Sequence, residues 1–224
     1  MKLSIAENFL FLAINPKSLS YSSVGTQLNS GLIGALIMDL INANILALEG
    51  KNLVISNKKT DLVGAEAVFY KYISAAKRPR SLKSWISRIN SMPAKIRNPL
   101  LQSLQDKRLI RIKKKRFLFI PYKKISSLDK IQQHEMILSL RSDIVKPIGF
   151  EIEHDRFMLL SLIYACKMER IIARNRKEAR DLRYKLKVLS ASNPVSVAVN
   201  AVMKEMQMAI VAAVSISAVS AASH

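Results

Sequence analysis

The side chains best able to do chemistry in this chain are few and far apart. His134, His154 and His224 are its histidines, and Cys166 is its single cysteine. Glu151-Ile152-Glu153-His154-Asp155 groups metal-capable side chains, but in one short run with no second ligand group at a zinc-site spacing. A solvated loop leading into a helix is the simpler reading. Cys166 follows Ala165 on an apolar stretch, where a free cysteine packs as a small hydrophobe more often than it attacks a substrate. The six glycines are dispersed, and Ser30-Gly31-Leu32-Ile33-Gly34 matches no phosphate-binding loop. We therefore expect no catalytic residue, no metal and no cofactor, and a protein that is not an enzyme.

Positive charge, by contrast, is abundant. The 224 residues carry 36 Lys+Arg against 16 Asp+Glu, a net +20, although half of the chain is hydrophobic. That hydrophobic fraction excludes a disordered basic tail. One cysteine excludes a disulfide framework or a Cys-rich zinc module and fits a reducing compartment. The charge is uneven: residues 1–50 sum to −1, residues 51–124 to +17 and residues 125–224 to +4. A chain this basic meets an anion, either nucleic acid or a phospholipid surface. The densest run is Lys113-Lys114-Lys115-Arg116, with Lys123, Lys124, Lys107 and Arg108 close by in sequence. Four successive cations cannot be buried, because desolvating even one is costly. Phe117, Leu118, Phe119 and Ile120 follow at once. The pattern predicts a protruding ribbon with a charged tip and apolar sides. Such a ribbon suits a phosphate backbone, a lipid headgroup layer or another subunit: the eight cations are the candidate anion or headgroup contacts, and Ile112, Phe117 and Phe119 the candidates for a subunit contact. The plainer alternative is an edge hairpin that its lysines protect from aggregation.

The elements that must position these residues are mostly helical. Ser4–Ala13 reads as an amphipathic helix, with Ile5, Phe9, Leu10 and Leu12 on one face, ended by Asn15-Pro16. After a polar loop, Asn29-Ser30 caps a helix over Leu32–Leu40. Ile45–Leu48 and Leu53–Ile55 flank Gly50-Lys51-Asn52 as a hairpin. Asp61 caps a helix through Tyr72, which Arg78-Pro79 breaks. Short helices follow at Leu82–Ile89 and Pro99–Gln105. Leu109–Ile112 and Phe117–Ile120 then form a second hairpin turning at the four cations. Helix then hairpin thus occurs twice, a weak internal echo. Leu128–Val145 is the next helix, closed by Pro147 and Gly149. Asp155 caps Phe157–Met168, which is apolar nearly all round and so buried. Glu169–Leu189 is one basic amphipathic helix with Ile172, Ala179, Leu182 and Leu186 inward, and Val195–Ala222 is a long apolar one. The fold class is mainly α, about eight helices with two small β-hairpins. Glu7 and Asn8 interrupt the apolar start, so it is no signal peptide. The uncharged stretch Ala209–Ala222 is shorter than the roughly 20 residues that span a bilayer. The expected location is cytoplasmic, with any membrane contact peripheral.

The order of these elements and several strings resemble the Golgi phosphoprotein 3 family. The strings are Leu3–Ala13 (LSIAENFLFLA), Ser30–Leu40 (SGLIGALIMDL), Asn44–Leu48, Asp61 with Glu66-Ala67, Ser84-Trp85-Ile86, Leu109–Ile120, Asp155-Arg156 with Leu159–Ala165 (LLSLIYA), Asn200-Ala201-Val202 and Ala212-Ala213. Together they span nearly the whole chain. The resemblance implies a single mainly α domain over 1–224, with a helix bundle core ringed by amphipathic helices. It also implies a peripheral membrane protein that binds phosphatidylinositol 4-phosphate headgroups, the tails of Golgi glycosyltransferases and coat proteins, with a second hairpin that mediates self-association in some members. At the positions of the family's headgroup-binding side chains this chain has Tyr21-Ser22-Ser23-Val24, Ile33, Glu135 and Leu138. None supplies a fixed cationic donor for a phosphate, so we expect diffuse electrostatic attachment to anionic lipid.

Two rivals stand beside this. In the first, the helix-hairpin units are winged-helix-like and Lys113–Arg116 is a wing tracking the phosphates of nucleic acid. The cation-free Ser30–Leu40 is a poor recognition helix for that. In the second, the chain is an oligomeric assembly scaffold docked through the 109–120 hairpin.

Overall fold

Helix α1 (Ile5–Ala13) begins at a capping box, in which the Ser4 hydroxyl accepts from the Glu7 amide and the Glu7 carboxylate accepts from the Ser4 amide. Two further amides at this helix start, those of Ile5 and Ala6, donate to the Asp39 carboxylate at 2.7 and 2.9 Å. All four groups that a helix start leaves open here have partners. This computed structural model describes residues 2–15, 26–59, 61–117, 120–147, 150–192, 205 and 207–212, with the backbone alone at 26, 114–117, 120–124 and 191–192. The predicted amphipathic character of α1 is not what forms. Its residues are buried on nearly every side, Glu7 included, because helices α2 (Thr26–Asn42), α5 (Pro93–Asp106), α6 (Lys130–Val145) and α7 (His154–Ala165) all pack on it. At Gly31 of α2, an added Cβ would lie 2.3 Å from the Phe9 ring and 2.9 Å from the Cys166 sulfur. Only glycine allows α1, α2 and α7 to approach this closely.

Asn29 and Ser30 sit inside α2 rather than capping it. Buried Ser30 instead accepts from the Asn90 side chain at 2.8 Å, which ties α2 to helix α4 (Leu82–Asn90). Strands β1 (Leu46–Glu49) and β2 (Asn52–Ile55) pair antiparallel around Gly50 as predicted. The segment read as a plain break contributes β3 (Arg80–Ser81), a third strand on β2. Helix α3 (Gly64–Ser74) starts at Val63 without a side-chain cap, so Asp61 does not cap it. Helix α5 starts at Pro93 and carries Pro99 within it, not at its start. Proline is well placed at a first helical turn, and the earlier one takes that role.

Strands β4 (Ile110–Phe117) and β5 (Ile120–Ser127) form a separate two-stranded ribbon. Lys113–Arg116 therefore lie within β4 and not between the two strands; residues 118 and 119 lie outside the described residues. Asp129 caps α6, accepting from the Gln132 amide at 2.8 Å. Glu153, not Asp155, is the cap position of α7. The single helix predicted over 169–189 is two elements, a 3-10 turn η1 (Glu169–Ile171) and α8 (Arg176–Ser192). Asn175 starts α8 afresh by accepting from the Glu178 amide at 2.9 Å. Ile172, Ala179, Leu182 and Leu186 are buried as expected. Most of the predicted 195–222 helix, and Gly149, lie outside the described residues; 207–212 are helical, with Ala209 and Ile210 buried.

Three helices end in the same way. After α2, α5 and α7 the chain passes through one left-handed residue, respectively Asn44, Arg108 and Lys167. Each time a 6→1 and a 5→2 backbone bond closes the helix, as in Leu109 N to Leu104 O at 3.0 Å and Arg108 N to Gln105 O at 2.9 Å. This is the Schellman arrangement, with a non-glycine residue at its left-handed position. The echo in the sequence thus has a physical form, since both hairpins leave their helix through the same turn.

Candidate functional site

The ribbon is firmly rooted. Leu109, Ile110 and Ile125 are buried, and Ile112 packs against the core, which occupies at least part of its apolar surface. The Ile112 amide donates to the Gln105 side chain at 3.1 Å, and the Leu128 amide to the Leu109 carbonyl at 2.8 Å. Beyond this root, the stretch 111–124 contains seven Lys or Arg and no acid. The register sets Lys113 opposite Lys124 and Lys114 opposite Lys123, with Arg116 opposite Pro121. Like charges directly opposite in a ladder repel, so an external anion along the ribbon would relieve the fold's own repulsion. Arg111 and Lys113 are exposed. The side chains of Lys114, Lys115, Arg116, Phe117, Lys123 and Lys124, and the whole of Phe119, lie outside the described residues.

Two predicted contacts separate from this group. Lys107 donates to both carboxylate oxygens of buried Glu7, at 2.5 and 2.6 Å, and the Ser103 hydroxyl donates to the same group at 2.5 Å. Burial works to raise the Glu7 carboxyl, but hydrogen bonds from Lys107, Ser103 and Ser4 outweigh it and hold the group below the usual carboxylate range. Lys107 is thus committed to an internal ion pair. Arg108 is exposed at the left-handed turn just before the ribbon. The Glu7 pair borders a cavity of about 380 Å³ that also includes Lys2, Ser4 and Glu66. Burial and the nearby Glu7 charge raise the Glu66 carboxyl. Burial also pushes Asp39 up to about 6 in spite of its two amide donors.

One surface was missed by sequence reasoning. Along α6, Ile131, Leu138 and Val145 are 73%, 49% and 63% exposed. Seven-residue steps keep them on one line of the helix, and exposed Leu128 continues that line toward the ribbon. The periodicity was present in the sequence, but so was a second apolar set (Ile137, Leu140, Ile144), and only packing shows which set is covered. Of the positions that the resemblance sets against headgroup contacts, Ile33 is buried in the core, Glu135 and Leu138 are exposed, and Tyr21-Ser22-Ser23-Val24 lie outside the described residues.

Cys166 is fully buried, and burial pushes its thiol up, away from the reactive thiolate. His154 faces the Asn42 side chain at 3.2 Å, and Asp155 pairs with Lys2 at 2.9 Å. Among the described residues no three His, Cys, Asp or Glu side chains group as metal ligands, and no helix is long and apolar enough to cross a membrane.

No curated protein matches the chain. The family model for Golgi phosphoprotein 3 (GPP34) matches residues 5–206, and the chain belongs to that family.

Proposed function

We propose that this member of the family is a non-catalytic, peripheral membrane interaction protein, which binds anionic phospholipid headgroups through the β4–β5 ribbon on the cytoplasmic side. The observation that carries the reading is the acid-free ladder with lysine opposite lysine. Each Lys or Arg near an anionic bilayer contributes on the order of 1 kcal/mol, so the ribbon's cations suffice for attachment without a shaped pocket. The exposed apolar line on α6 supports it, since a basic surface beside apolar side chains suits the headgroup boundary. In the first helix-hairpin unit the nucleic-acid rival loses its recognition helix, because Leu32, Ile33, Leu36, Ile37 and Leu40 of α2 are buried in the core.

Co-sedimentation with phosphatidylserine vesicles tests this directly. Binding rises with the anionic fraction and falls with salt, and the combined reversal Lys113→Glu, Lys114→Glu, Lys115→Glu and Arg116→Glu abolishes it. Unchanged vesicle binding by that variant at low salt refutes the assignment. A preference for duplex DNA that survives a salt series would instead favour the rival.

A further inference from the structure

The ribbon does not account for all the cations. Residues 167–187 hold nine Lys or Arg against Glu169, Glu178 and Asp181. Buried Glu169 is held by Arg183 at 2.5 Å, and Glu178 is engaged by Arg141 and Arg174. The side chains of Lys167, Arg170, Arg176 and Arg180 have no ion-pair or hydrogen-bond partner among the described residues. With Arg183 they line a groove of about 420 Å³ between η1 and α8, which Glu169 and Ala179 complete.

Two elements bring these cations together. Lys167 sits at the left-handed turn after α7 and Arg170 in η1. Arg176, Arg180 and Arg183 face them from α8, at the i, i+4, i+7 spacing that keeps side chains on one helix face. Arg183 is fixed in place by Glu169 and by the Tyr164 ring, whose centroid is 5.2 Å from its guanidinium carbon. Five cations around one carboxylate leave the groove strongly electropositive.

We infer that this groove is a discrete binding site for a dianionic phosphate group, separate from the ribbon. A guanidinium offers paired donors that match two phosphate oxygens, and the groove presents three guanidiniums from α8 with two cations opposite. A projecting ribbon attracts a charged surface diffusely. A concave cluster with one oriented arginine binds stoichiometrically. The phosphate can be carried by a soluble compound or by a phosphomonoester lipid, and both carriers present the same chemistry.

The test titrates the full chain with inorganic pyrophosphate by calorimetry at physiological ionic strength. In parallel, phosphatidic acid vesicles are compared with phosphatidylserine vesicles of matched charge. The double variant Arg176→Gln, Arg180→Gln removes two exposed side chains that hold nothing else together. The control, Lys177→Gln with Lys185→Gln, removes the same charge from the same helix outside the groove. We expect one equivalent of pyrophosphate to bind, weakened at least about tenfold in the groove variant as charge-assisted contacts are lost, and left intact in the control and in the ribbon charge-reversal variant. Binding confined to phosphatidic acid vesicles, with the same variant pattern, also supports the site and assigns the carrier as a lipid. Equal losses in both double variants, or neither saturable pyrophosphate binding nor a phosphatidic acid preference, overturn the proposal while leaving the ribbon's role intact.

Discussion

Lys107 and Lys113 are six residues apart, one at the end of α5 and the other in the ribbon that follows, and they do opposite things. Lys107 turns inward to Glu7, which is buried beneath α5. Lys113 stands exposed, opposite Lys124. The α1–α5 junction spends its charge on the fold, while the ribbon keeps its charge for the outside. The difference is set by the presence of an acid across the gap, since a desolvated cation persists only beside a counter-charge.

The largest expected effect tests the inward half. Glu7→Ala strands Lys107, Ser103 and the Ser4 amide in a half-buried site and costs about 3–5 kcal/mol in urea unfolding. Lys113→Ala changes stability by no more than about 0.5 kcal/mol. Similar losses from the two would erase the distinction between the regions.

A smaller effect, on the order of 2–3 kcal/mol, is expected from pH. Asp39 is harder to ionise in the folded chain, so its contribution to stability falls as pH rises from about 4 through about 6. Glu7 has the opposite sign: its folded value is lowered, so it adds stability above the ordinary carboxylate range that is lost as pH falls through its folded value. Unfolding free energies of the wild type and Asp39→Asn, measured from pH 4 to 7, should converge in slope above 6 and diverge below it. Parallel curves throughout would remove Asp39 as a titrating group.

The smallest effect concerns salt. Screening should slow hydrogen exchange of the β4–β5 amides by a few tenths of a kcal/mol per opposed lysine pair. The amides of Ile5 and Ala6 should not respond. Faster exchange in the ribbon at high salt would mean that its cations already have partners.

Much of this was legible beforehand. The first helix from Ser4 to Ala13, Gly50 between two apolar runs, and the all-round apolar stretch of α7 each state their structure within a few residues. The ribbon's turn was misplaced for a physical reason: four cations demand solvent, and a strand of a projecting two-stranded ribbon can meet that demand as well as a turn does. Lys167 shows a different failure. A left-handed helix end normally signals itself through glycine, and here a lysine hides the turn after α7 that brings Lys167 to the groove.

The sequence by itself determined the family, the mainly helical class, the excess of cations and the segment in which most of them lie. Only the tertiary structure decided which cations are free. Lys107 meets Glu7 across 100 residues of chain, and Lys167 and Arg170 meet Arg180 across a groove built from two elements. Coulomb energy depends on separation in space and on the medium between the charges, and the fold sets both.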